Sequence, residues 1–289
     1  MIKKGIILAG GMGTRMSPLT KAVNKHLLPI YDKPLIFYPL SILMLANIKD
    51  ILIVVNKGQL NQYKQILPNG KNLGIKITYT EQTKPRGLPD AFLLGEKFIN
   101  NKNVSLILGD NFFYGQNLTK KLIECTKLKN GAKVLLHKVL KPELYGVATV
   151  NKQNKIISIE EKPKKPKSDL AVTGFYCFDK NVVKYSKKLK PSKRGELEIV
   201  DLLNKYKKKN KLNADYIGRG GAWLDTGSIE EFYKTSSFVS SIENRQGFKI
   251  ACLEEIAYLK KWITKMEIKK QIKFYGKCEY TKYLEHIIK

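Results

Sequence analysis

The sequence predicts an α/β chain in three layers, with helices on both faces of a mostly parallel mixed sheet and a small helical appendage at the carboxyl terminus. Three observations carry that reading. Short apolar runs bounded by turn residues alternate with amphipathic stretches up to about residue 137, a pattern that builds parallel strands joined by helices. Apolar runs then cluster between residues 146 and 178, which points to antiparallel additions. From about residue 229 strand signals cease and helical spacing takes over.

The elements follow in order. Ile6, Ile7, Leu8 and Ala9 form the first expected strand, 5–9, which empties into Gly10, Gly11 and Gly13. Further strands are expected at 50–55, 75–79, 104–108 and 132–137, where β-branched and aliphatic residues run between turn formers. Helices are expected between them at 34–46, 60–67, 88–98 and 118–128. Strands at 146–150, 156–160 and 172–178 come next, then helices at 181–189 and 196–209, and a short strand near 215–217. In the stretch 196–209, Leu197, Val200, Leu202, Leu203 and Tyr206 share one broad apolar face while most lysines point away. Helical spacing at 252–258 and 283–288 closes the chain. The arrangement is Rossmann-like, with one domain expected over 1–228 and a helical segment over 229–289.

With 289 residues, 43% of them apolar, the chain can bury a sizeable core. Its longest apolar stretch, 35–48, contains Pro39 and Ser41 and is too short for a membrane span. The apolar run after Lys3 and Lys4 ends at glycines too soon for a secretory leader. Cys125, Cys177, Cys252 and Cys278 are scattered without metal or redox spacing, which suits a reducing cytoplasm. Three unclustered histidines argue against zinc. The formal charge of +28 comes with lysine runs such as 205–209 and 162–167, but no nucleic-acid-binding module accompanies them. Lysine-rich solvated faces explain the runs, and a positive field also draws in small anions. No nucleic-acid or membrane partner is expected.

The first thirty residues say which anion. Glycines at 10, 11 and 13 let a bulky anion approach main-chain N–H groups. Thr14 and Arg15 add a hydroxyl and a guanidinium, and Lys25 adds a second cation. The loop lacks the Lys-Ser/Thr ending of a Walker loop, and Arg15 and Met16 stand where a dinucleotide fingerprint wants a small residue. It reads as a phosphate cradle of another kind.

Phosphate chemistry on a nucleotide calls for a divalent metal held by carboxylates near strand ends. Asp110 emerges after the buried run 104–108, and Asp225 lies in an expected turn between Gly221 and Gly227. Glu160, Glu161, Lys162 and Pro163 form a third constellation, in which a lysine could meet a sugar phosphate and Glu161 sugar hydroxyls. Tyr145 with Gly146, and Val172 with Gly174, place glycines in or beside strands where a ligand could approach closely. Arg194 opens a helix as either a phosphate contact or a surface cation.

These motifs, with the segments 27–34 and 194–198 and the run Trp223-Leu224-Asp225-Thr226-Gly227, make the chain resemble the glucose-1-phosphate thymidylyltransferases, sugar nucleotidyltransferases, nearly end to end. The resemblance implies a Mg²⁺-dependent reaction of dTTP with α-D-glucose 1-phosphate that releases pyrophosphate and opens dTDP-L-rhamnose synthesis for cell-surface polysaccharide. It implies that Arg15, Lys25 and Lys162 are catalytic and that Asp110 and Asp225 carry the metal. Leu8, Gly10, Gly11, Gly13, Thr14, Arg15, His26, Gln82 and Gly87 would bind the nucleotide. Asn111, Tyr145, Gly146, Glu161, Lys162, Val172 and Arg194 would bind the sugar phosphate. A uridylyl- or cytidylyltransferase acting on a hexose 1-phosphate is the alternative.

Two departures bear on the base. His26 stands where the nearest branch of the family usually has Gln, and the segment 84–90 is more charged than expected, with Pro89 and Asp90 in place of small or amide residues. The segment 246–257 matches the long form of the family. That match implies a homotetramer and a regulatory nucleotide site near Arg219, Lys249, Glu255 and Ile256, the target of feedback by dTDP-rhamnose.

Overall fold

The computed structural model describes every residue from Met1 to Lys289. Strand β1 (Lys4–Leu8) leads through the glycine loop to a two-residue pair, β2 (Pro29–Ile30) and β3 (Lys33–Pro34), and then to α1 (Phe37–Leu45). Next come β4 (Asp50–Asn56), α2 (Leu60–Ile66), β5 (Lys76–Gln82), α3 (Asp90–Leu94), α4 (Glu96–Ile99) and β6 (Val104–Leu108). The middle of the chain forms β7 (Asn111–Gly115), α5 (Leu118–Thr126), β8 (Ala132–Lys138), β9 (Gly146–Val150), β10 (Ile156–Glu161) and β11 (Leu170–Phe178). It ends with α6 (Val182–Ser186), α7 (Ile199–Lys207), β12 (Leu212–Tyr216), β13 (Gly221–Asp225) and four helices. These are α8 (Ile229–Gln246), α9 (Leu253–Leu259), α10 (Lys265–Tyr275) and α11 (Glu279–Ile287).

The nine-stranded sheet runs β10-β9-β11-β6-β1-β4-β5, with β8 and β12 attached beside β11. The pairs β6-β1, β1-β4, β4-β5 and β8-β12 are parallel, whereas β11 runs antiparallel to β6, β8 and β9. Only β11 and β10 therefore point against the rest, as the clustering between 146 and 178 predicts.

Period-two burial feeds two cores. Ile6, Leu52, Val54 and Leu106 join one cluster with Val200, Leu203 and Tyr206 of α7. Ile7, Ile51, Ile53 and Ile107 face the other, with α1. Strands buried on both faces read as unbroken apolar runs, which is why β1, β4 and β6 were legible. Leu253, Ala257, Ile268 and Leu284 of the last three helices lie in that second cluster, so the carboxyl-terminal segment shares the core of the sheet.

Three expectations need correction. The expected helix 88–98 is two short helices, because Gly95 ends α3 and starts α4. Leu197 precedes α7 and bridges Gly87 instead of packing on a helical face. The turn expected around Asp225 is strand β13, paired antiparallel with β7 so that Asp225 stands opposite Asn111. Aromatic residues at 112–114 and Trp223 supply the β-forming character, which the glycines around them masked.

Candidate active site

The glycine loop is built where β1 ends. Gly11 holds φ +110° and Gly13 φ +59°, conformations that favour glycine. Asn56, the last residue of β4, clasps the loop: Gly11 N–H donates to its Oδ1 at 2.9 Å and its Nδ2 donates to Gly11 O at 2.9 Å. Thr20 Oγ1 donates to Gly13 O at 2.8 Å. The amide of Gln82 lies flat on Gly10, where a β-carbon would fall 1.7 Å from Gln82 Nε2. Glycine at position 10 is thus set by Gln82 as much as by any ligand.

The cations and carboxylates converge beside this loop. Lys25 Nζ is paired with Asp110 Oδ2. Arg15 reaches over Gly227, where a β-carbon would stand 3.0 Å from Arg15 Nη2 and 3.3 Å from Asp225 Oδ1. Burial and the nearby charge of Asp110 raise the Asp225 carboxyl to about 6, against the pull of Lys25, Arg15 and Lys162. Burial opposes ionisation of Asp110 too, but Lys25, His26 and a hydrogen bond from Asn111 outweigh it and hold that carboxyl below the usual range. Two carboxylates that feel each other, one of them free of an ion pair, form an electron-rich corner next to the glycine loop.

A cavity of about 260 Å³ opens from that corner. Its lining includes Arg15, Asp110, Lys162 and Asp225 together with Tyr145, Gly146, Glu161, Val172 and Arg194. Lys162 holds φ +43°, a strained conformation for a lysine, and its N–H donates to Tyr145 O at 3.0 Å. Arg194 forks onto Glu198 at 2.9 Å and stands 3.6 Å from Glu161. Burial raises the Glu161 carboxyl above its ordinary value, with Glu198 adding to the effect.

Asn111 belongs to the frame of this cavity. Its Oδ1 accepts from Trp223 Nε1 at 2.6 Å and from Gly174 N–H at 2.9 Å, while its Nδ2 donates to Asp110 Oδ1 at 3.1 Å. The close approach that Gly174 permits is therefore to Asn111.

Comparison with known proteins gives the family. A family model described as nucleotidyl transferase matches residues 4–242. The glucose-1-phosphate thymidylyltransferase of Neisseria meningitidis is 48% identical over 286 residues, spanning 99% of both chains. That of Mycolicibacterium smegmatis is 41% identical, again over 99% of both. A crystal structure from Bacillus anthracis, described as a glucose-1-phosphate thymidylyltransferase in complex with sucrose, superposes with a TM-score of 0.75 at 43% identity, covering 81% of this chain and 94% of that one. UDP-glucose pyrophosphorylase bound to UDP-glucose superposes at 0.74 with 28% identity, covering 84% and 100%. The chain belongs to the nucleotidyl transferase family.

In this transferase the remaining expected residues fall into three groups. Leu8 contributes its carbonyl, which accepts from Gly109 N–H at 2.9 Å. Thr14 opens a short 3-10 turn at the exposed tip of the loop. Gly87 holds φ +99° and bridges Leu197, so close that a β-carbon would meet Leu197 O at 2.1 Å. The charged departures around it answer each other, since Arg86 forks onto the buried Asp90 at 2.8 and 3.3 Å.

His26 is packed into the base of the loop. It is 3% exposed, shares Asn24 Oδ1 through Nδ1 at 2.7 Å, and packs against Gly109. Burial, reinforced by Lys25, pushes its pKa down to about 3, so the ring is neutral. Sequence reading missed Asn56, Gln59 and Asn24, whose amides hold the loop from behind, and Tyr176, which lines the cavity. A polar residue ending a buried strand, as Asn56 does, was the available signal.

Lys249, Glu255 and Ile256 line a second cavity of about 450 Å³ with Phe113, Tyr114 and Phe248. Arg219 lies outside its lining, on the exposed turn before β13. No helix is long and apolar enough to cross a membrane.

Proposed function

We propose that the transferase moves the thymidylyl group of dTTP onto α-D-glucose 1-phosphate, giving dTDP-glucose and pyrophosphate. The observation that carries this reading is one cavity in which Arg15, Lys162, Asp110 and Asp225 stand beside a glycine loop and a sugar-sized recess. A phosphate oxygen of the sugar phosphate attacks the α-phosphorus of dTTP, forming the new P–O bond as the bond to pyrophosphate breaks. That oxygen is already anionic, so no general base is needed. Catalysis then consists of positioning and charge neutralisation. Lys162 is placed to hold the sugar phosphate, Arg15 the departing pyrophosphate and Lys25 the triphosphate. Glu161 is the acceptor for sugar hydroxyls, and Tyr145, Gly146 and Val172 shape the pocket wall.

Asp110 and Asp225 fit a divalent cation. Both line the same cavity, and Asp225 stands opposite Asn111, the neighbour of Asp110, in the pairing of β13 with β7. Two carboxylates leave the remaining positions of a Mg²⁺ ion to substrate phosphates and water. Bound there, Mg²⁺ supplies charge neutralisation for the triphosphate.

Residues 1–228 make up the catalytic part in this reading, and residues 229–289 serve assembly and regulation as a cytoplasmic homotetramer. The second cavity beside Lys249 and Glu255 supports a regulatory site for a nucleotide sugar. Pyrophosphate release measured across dTTP, UTP and CTP with several hexose 1-phosphates tests the reaction. A clear preference for UTP or CTP overturns the thymidylyl assignment. Noncompetitive inhibition by dTDP-rhamnose and a four-copy mass by light scattering test the remainder.

A further inference from the structure

Gln82 sits at the end of β5 with its amide across Gly10, and an amide side chain can be turned two ways. Here the backbone decides. Gly11 N–H can only donate and Gly11 C=O can only accept, so the Asn56 amide, bonded to both at 2.9 Å, must present Oδ1 to the first and Nδ2 to the second. Asn56 Oδ1 can then receive only a donor from Gln82, which supplies Nε2 at 3.1 Å.

A second backbone anchor fixes the same polarity from the other end. His26 N–H donates to Asn24 Oδ1 at 2.9 Å, so Asn24 Nδ2 donates to Gln59 Oε1 at 2.6 Å. That same oxygen accepts Asn56 Nδ2 at 3.1 Å. Four amides between two fixed N–H groups leave Gln82 one orientation. Its Oε1 accepts no hydrogen bond within the protein and keeps some contact with solvent, which leaves it, with the second Nε2–H, for a ligand.

An acceptor beside a donor matches a pyrimidine with N3–H next to a 4-oxo group, which thymine and uracil share. Cytosine presents the reverse, an N3 acceptor next to a 4-amino donor. We propose that Asn56 is a positioning residue that sets the base preference, by holding Gln82 in the orientation that accepts 3-NH, 4-oxo pyrimidines and rejects cytosine. The inference rests on the nucleotidyl-transfer reading, with Gln82 facing the base.

The test compares kcat and KM for dTTP, UTP and dCTP, with glucose 1-phosphate saturating, in the unaltered protein and in Asn56→Ala and Asn56→Asp. Alanine frees Gln82 to turn. The dTTP to dCTP ratio of kcat/KM should fall by about tenfold or more, the worth of one hydrogen bond lost at the base. The loss should appear mainly in KM. Aspartate still accepts from both Gly11 N–H and Gln82, so it should keep a ratio closer to that of the unaltered protein than alanine does. Should Asn56→Ala fail to fold, Asn56→Ser, which can reach Gly11 but not Gln82, gives the same reading.

A ratio unchanged by alanine or serine overturns the proposal. So does a loss spread equally over all nucleotides through kcat, or an aspartate variant as indiscriminate as alanine. An unaltered protein that turns over no pyrimidine triphosphate overturns the underlying reading together with this one. An active, discriminating protein that ignores the substitutions overturns this inference alone.

Discussion

The ammonium of Lys25 is paired with the carboxylate of Asp110, while Asp225 beside it has no ion pair of its own. If Asp110 and Asp225 carry the metal as proposed, Lys25 competes with it for Asp110 in the free protein. Asp110→Ala, which removes one carboxylate of the metal corner, should lower kcat/KM by more than about a hundredfold, the scale of losing an electrostatic stabiliser. Lys25→Met should also lower kcat/KM by about that factor, yet tighten binding of Mn²⁺ to the protein without substrate. Calorimetric titration with Mn²⁺ separates the two variants. Equal metal affinity in Lys25→Met and the unaltered protein would remove Lys25 from this role.

Gly174 packs closely on Asn111 in the wall of the cavity. A β-carbon there would lie 2.3 Å from Asn111 Oδ1 and 2.9 Å from Leu108 Cγ. Asn111 is buried and already committed to Trp223, Gly174 and Asp110, so it has nowhere to yield. Gly174→Ala should cost about 1–3 kcal/mol of stability from overpacking. By displacing Asp110 through Asn111, it should also lower kcat/KM more than about tenfold. Thermal melts and pyrophosphate release read the two effects separately, and a fully active alanine variant would contradict the frame described here.

Much of this was legible in the sequence because burial on both faces leaves uninterrupted apolar runs, as in β1, β4 and β6. The site residues were legible where a charged group interrupts such a run at its end, as Asp110, Glu161 and Lys162 do. Strands β7 and β13 were not, because their pairing is nonlocal and glycines flank them. Asn56 and Gln59 escaped for a related reason. Their importance lies in contacts with Gly11 and Asn24, 45 and 35 residues away, and spacing along the chain records nothing of that. His26 reads as a base contact by sequence position, and spacing along the chain does not record that its ring is buried against Asn24 and Gly109.

That burial has a consequence for acid stability. Its cause is desolvation first and the Lys25 charge second, which lower the folded-state pKa of His26 to about 3 from an ordinary 6.5. Below pH 6.5 the unfolded chain takes up a proton that the folded chain refuses, so stability falls as pH drops from about 6.5 toward 3. At pH 5 the loss from this one group is about 2 kcal/mol. His26→Gln should flatten this part of the stability–pH curve, measured by urea unfolding between pH 7 and pH 4.5. Because the ring is buried and bonded to Asn24, the same substitution should leave the dTTP to UTP ratio within about twofold. A large change in that ratio would return His26 to the base.

The carboxyl-terminal helices are tied to the active-site side by a buried charge network. Lys33, 2% exposed, pairs with Asp32 and, at 2.9 Å, with Glu243 of α8. Lys249 reaches Asp32 at 2.5 Å and Glu243 at 3.3 Å, and Glu243 Oε1 also accepts Ile250 N–H at 2.8 Å. Charges taken out of water this completely are costly once a partner is lost, since the remaining ion cannot be rehydrated. Lys33→Met should therefore destabilise the protein by about 3–5 kcal/mol. The double change Lys33→Met with Glu243→Gln should recover part of that loss, because Lys249 then faces one carboxylate instead of two. Since Leu253, Ala257 and Leu284 share a core with the sheet, chemical denaturation of Lys33→Met should remain a single transition by circular dichroism and tryptophan fluorescence. An early, separate melting of the helices would show that this network, and not the shared core, holds residues 229–289 to the rest.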